Sequence, residues 1–131
     1  MTWVDARATE DAGMPELWNL LFIQLEQSAS SYGSTPFARE RNLIAVTKRI
    51  GDCIHIIRSS ASMNTPEAAM DVCLDKPGRR VFSRIGDEEQ KSLRIGLDAR
   101  RNVCLIDATG APVTNDQASR FFLEDFLFPN A

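Results

Sequence analysis

The chain holds one histidine, His55, in 131 residues, and three cysteines, Cys53, Cys73 and Cys104. Imidazole is the side chain whose ordinary pKa lies near neutrality, so a single copy leaves little room for catalytic triads or histidine-rich metal centres. The cysteine spacings fit neither a C-x-x-C zinc site nor an even-numbered disulfide framework. They are expected to be reduced thiols packed as small apolar groups, with a pairwise disulfide as the alternative. No E-x-x-H, H-x-x-x-D or D-x-D motif gathers Asp71, Asp75, Asp98 or Asp107, so no metal is expected. Neither G-x-G-x-x-G nor G-x-x-x-x-G-K occurs, which removes the Gly-rich phosphate cradle, and no cofactor is expected.

Long apolar runs are missing too. Leu20–Ile23, within Leu17–Leu25, falls well short of the roughly 20 residues that span a bilayer. Asp5, Glu10, Asp11 and Glu16 dominate the N-terminus where a basic leader would lie, so the expected compartment is the cytoplasm.

What is present is an ordinary globular composition, 44% hydrophobic and 25% charged with a net charge of -3, and one domain over residues 1–131 is expected. Residues 36–101 carry 13 of the 15 Lys and Arg, and the two ends are acidic. Solvated charge accounts for such a mixed distribution more economically than an anionic partner does.

Met1–Gly13 is polar and aperiodic, and reads as a loose tail. Pro15 opens a helix from Glu16 to about Ser31, and Gln27–Pro36 is a small-residue loop ending it. A second helix starts at Pro36. Leu43, Val46, Ile50, Ile54 and Ile57 keep a three-four spacing that carries it to Ser60, although Cys53–Ile57 is β-branched enough for a strand. From Ala69 onward the period becomes two. Met70–Leu74, Val81–Ile85, Ser92–Leu97 and Asn102–Asp107 read as strands, with turns at Lys76–Arg79, Asp87–Lys91 and Ala99–Arg101. The first of these competes with a short helix capped at Thr65–Pro66. Central turns pair Leu74 with Val81, Ile85 with Leu93 and Leu97 with Val103, and they gather the apolar residues on one face, as a half-buried sheet requires. Thr114 and Gln117 form a capping box for a last helix, Asn115–Phe128. The expected fold is α+β: an antiparallel meander of three or four strands, two N-terminal helices and one C-terminal helix.

Three functions follow. The terminal helices carry more apolar surface than one sheet face needs, which points to a small interaction or accessory protein. It is expected to be a homodimer or to bind a protein partner through Trp18, Phe22, Phe122 and Phe126. Second, the outer sheet face places Arg84 opposite Arg94, a like-charge pair that an anion or other small molecule would relieve. The same register sets Asp71 against Arg84 and Asp75 against Arg80, an internal compensation that competes with it. Sparse aromatics argue against nucleic acid. Third, Cys53 and His55 share a face if their segment is a strand, which admits a thiolate-imidazolium pair and hence an enzyme. On a helix they diverge, and this is the weakest of the three.

Overall fold

The computed structural model describes residues 2–129. Two helices come first, α1 (Trp3–Tyr32) and α2 (Pro36–Arg41). Seven strands follow: β1 (Leu43–Ile50), β2 (Cys53–Ser60), β3 (Pro66–Asp75), β4 (Arg80–Ile85), β5 (Glu88–Leu97), β6 (Val103–Ile106) and β7 (Pro112–Val113). They form one antiparallel sheet in sequence order, and α3 (Asn115–Leu127) closes the chain. The α+β meander is as expected, but seven strands replace three or four.

The N-terminal stretch expected as a loose tail is helical from Trp3, and Met1 lies outside the described residues. Thr2 accepts from the Asp5 N–H, and the Asp5 carboxylate accepts from the Thr2 N–H, a capping box that satisfies donors of the first turn. Pro15 therefore sits inside α1, where it costs a backbone hydrogen bond instead of starting the helix. Tertiary contacts offset that loss. Arg79, in the β3–β4 turn, bonds Glu10 at 2.8 Å and pairs with Asp11, while Gly13 packs directly on Val103 of β6.

The second helix expected to reach Ser60 is only six residues long, and the remainder is the β1–β2 hairpin. Asn42 in the left-handed region (φ 56°) ends α2, and Gly51 (φ +57°) turns the chain between Ile50 and Cys53. Burial then follows period two: Ile54 and Ile56 are buried while Cys53, His55 and Ile57 face outward. The same Ile-Gly-Asp triplet recurs at residues 85–87, again with glycine at positive φ (+62°) in a tight hairpin.

That second turn corrects the β4–β5 register. The chain reverses at Gly86–Asp87 instead of over Asp87–Lys91, so Leu93 pairs with Val81, not Ile85, and Ile85 is left 48% exposed. Leu74 with Val81 and Leu97 with Val103 pair as expected.

Both long helices lie on one face of the sheet. α1 contacts β1 at one end of the strand order and β5 and β6 towards the other, so the sheet curls around it. Irregularities at Arg58/Ser59 and Ser83/Arg84 supply the local bending that β-bulges produce. α3 lies beside α1, with Ser28 and Ser119 hydroxyls 2.7 Å apart. Among the described residues no helix is long and apolar enough to cross a membrane.

Candidate functional site

The face of the sheet turned away from the helices carries side chains in rows that run across the strands. Val46, Ile57 and Ala69 make an apolar row, followed by the charged row Lys48, His55, Asp71, Arg84 and Glu89. Ile50, Cys53, Cys73, Phe82 and Ser92 come next, and then Asp75, Arg80 and Arg94. This face holds every sequence-derived candidate that is not an aromatic of the helices.

Cys53 and His55 do share it, because their segment is a strand. The structure nevertheless separates their chemistry. Cys53 is bonded to Cys73, its directly opposed partner on β3, so the expectation of three reduced thiols is corrected and only Cys104 is free. Burial pushes the Cys104 thiol up from its ordinary pKa, which keeps it protonated at neutral pH. His55 donates from Nδ1 to Asp71 Oδ1 at 2.6 Å, and Asp71 Oδ2 accepts from Arg84 Nε at 3.3 Å. One carboxylate thus accepts from both side chains, and no thiolate faces the imidazole.

The arginine pair is also resolved differently. Arg84 lies opposite Glu89, and it is Arg80 that faces Arg94. Arg80 bonds Asp75 at 3.0 Å and Glu89 at 2.5 Å, so the expected Asp75 and Asp71 compensations are both present. The hydrogen bonds that Arg80 donates to Glu89 and Asp75 raise its pKa, while the Gly78 N–H and then Arg80 hold Asp75 below the usual carboxylate range. Arg94 borders an open cleft of about 420 Å³ formed with Ile106 and the 107–110 turn. That cleft also contains Asp107, kept ionised by the Thr109 hydroxyl and the Ala111 N–H, and its charge opposes an incoming anion. Among the described residues no group of three or more His, Cys, Asp or Glu side chains is arranged to hold a metal.

The aromatic candidates divide. Trp18 and Phe122 are fully enclosed in the core, and Phe22 and Phe126 are partly buried against it. Arg49 stacks on the Phe22 ring and Arg58 on Phe126. The surplus apolar arc read from the helices is thus largely used within the chain, because the sheet curls over α1 and α3 packs along it. Among the described residues the exposed large apolar side chains are Trp3, Val4, Leu20 and Ile23 on α1, Phe121 on α3, Val46 and Ile50 on β1, Met63 between β2 and β3, and Ile85 at the β4–β5 hairpin.

Several clefts border the helices among the described residues. One of about 320 Å³ separates α1 from α3 and is bordered by Tyr32, Ser119 and Leu123. A smaller one of about 160 Å³ lies between α3 and the sheet, beside the buried Ser83 hydroxyl.

No family model, curated protein or solved structure matches this chain.

Proposed function

We propose that the protein is an interaction module that binds a partner through the uncovered sheet surface around β1. The observation that carries this reading is where the surface chemistry remains uncommitted. On β2 to β4 the polar groups of the outer face are engaged with one another and with Glu89, through the His55–Asp71–Arg84 cluster and the Asp75–Arg80–Glu89 cluster; the disulfide joins β2 to β3, and Arg94 of β5 shares its cleft with Asp107. Around β1, Val46 (42%) and Ile50 (56%) stand exposed on either side of Lys48, and none of the three helices packs on this face. Exposed apolar residues bracketing a charge on a rigid sheet are the composition of a recognition surface.

A second reading keeps the helix-mediated homodimer and rests on Leu20 and Ile23, each 49% exposed and three residues apart on α1.

Selection of a random dodecapeptide library on the immobilised protein tests the two against each other. Retained peptides are expected to lose binding to Val46→Asp and Ile50→Asp while still binding Leu20→Asp, with all three variants folded by circular dichroism. If no peptide is retained, or if Leu20→Asp alone abolishes binding, the β1 reading is overturned. Light scattering on the parent and on Ile23→Asp measures the dimer directly, and a parent that stays monomeric at high micromolar concentration rejects the second reading.

A further inference from the structure

β1 is an edge of the sheet, hydrogen-bonded only to β2. Which of its backbone groups face outward follows from how the hairpin closes. Ile50 and Cys53 flank the two-residue turn Gly51–Asp52 and so form a hydrogen-bonded pair, and eight residues earlier Asn42 O accepts from Ala61 N at 2.8 Å. Antiparallel pairs alternate between bonded and non-bonded, so Ile44, Val46, Lys48 and Ile50 point their N–H and C=O groups to β2. The corresponding groups of Ala45, Thr47 and Arg49 point away from the sheet. Gly33, at the end of α1, lies over the Leu43 carbonyl, so the uncovered edge begins at Ala45.

The charge along this edge is of one sign. Arg49 bonds the Asn19 side-chain oxygen at 3.3 Å and stacks on Phe22, neither of which neutralises it. No carboxylate lies within salt-bridge distance of Lys48 among the described residues. A second copy of the chain paired along β1 would bring both cations of each copy onto one seam, which like-charge repulsion between neighbouring strands opposes. The same two cations favour an occupant of opposite charge.

We infer that β1 accepts an acidic, extended segment of a partner protein as an eighth strand, with acidic side chains meeting Lys48 and Arg49 and apolar ones covering Val46 and Ile50. The inference rests on the binding reading above and supplies the partner's chemistry: backbone hydrogen bonds give affinity, and the flanking side chains give selectivity.

The peptides retained in the library selection are the probe. Strand addition predicts sequences rich in Asp and Glu among β-branched residues, with affinity falling steeply as salt is raised. Thr47→Pro removes one outward N–H and leaves the β1–β2 ladder intact, since an edge position tolerates proline. It should weaken binding tenfold or more, and Lys48→Glu with Arg49→Glu should do the same. Where Thr47→Pro fails to fold, N-methylation of the selected peptide one residue at a time replaces it, and only alternate positions should be sensitive. Retained peptides that are neutral or basic, or acidic ones that ignore both Thr47→Pro and the N-methyl scan, overturn strand addition while leaving the β1 surface as the binding site. An empty selection overturns both.

Discussion

Asp98 and Asp107 each tie a tight turn by accepting bonds from the backbone just ahead of them. Asp98 takes the N–H groups of Asn102 and Arg100, and Asp107 takes the Thr109 hydroxyl and N–H and the Ala111 N–H. These bonds favour the ionised form, so both carboxyls titrate below the ordinary aspartate range in the folded chain, Asp98 chiefly through Asn102 and Asp107 chiefly through Thr109. A group whose folded pKa is depressed contributes stability above its unfolded pKa, near 4, and loses it as pH falls through the folded value. Thermal melts of the parent should therefore drop steeply below about pH 4. Asp98→Asn with Asp107→Asn should start lower at pH 7 and show a shallower acid limb, and parallel acid limbs would show that these turns are not responsible. Part of this residue scale was legible beforehand: opposing Asp71 to Arg84 and Asp75 to Arg80 needs only the Lys76–Arg79 turn. The bond from His55 to Asp71 is not legible in the same way, because the three-four apolar spacing around His55 also fits a helix, in which its side chain has no defined opposite on β3.

At the scale of elements, two contacts hold the parts that local sequence leaves weakest. The first is α1 against β6. A Cβ on Gly13 would stand 2.5 Å from Val103 Cγ2 and 2.9 Å from its Cβ, and a β-branched side chain in a strand has little freedom to yield. Gly13→Ala should therefore destabilise by about 1–3 kcal/mol despite alanine's better helix propensity. Combining it with Val103→Ala should recover part of that loss in chemical denaturation, and strictly additive losses would show that the contact is not tight. The second is the Cys53–Cys73 bond, which joins β2 to β3 across 20 residues of sequence. Closing a loop of this length stabilises by about 3 kcal/mol, so reductant should lower the melting temperature by several degrees. Thiol counting in denaturant should give one thiol before reduction and three after it. The capping box Thr2-x-x-Asp5 and the two Ile-Gly-Asp turns are the sequence signals that place the start of α1 and the hairpins. The three-four spacing of Leu43 to Ile57 masked the first hairpin because isoleucine fits either period over so short a run.

On the scale of the whole molecule, the curl of the sheet decides what the helices are for. α1 passes inside the curve and α3 lies along it, which encloses Trp18, Leu21, Leu25, Phe122 and Leu127 within the chain. Phe122→Ala should then cost about 3–5 kcal/mol of stability, as truncation of a buried aromatic does, and leave the association state unchanged. Equilibrium denaturation paired with light scattering reads both quantities. A folded monomer arising from a dimeric parent would show instead that this face is an interface.

Taken alone, the sequence determined the elements whose signals are local. The period-two runs from Met70 to Asp107, the Thr114 capping box and the Leu74–Val81 and Leu97–Val103 pairings follow from alternation and turn chemistry within a few residues. Tertiary structure alone decided which apolar surfaces remain outside. Sheet curvature, the close approach at Gly13 and the pairing of Cys53 with Cys73 join residues far apart in the chain, and no local pattern specifies how far a sheet will wrap around a helix.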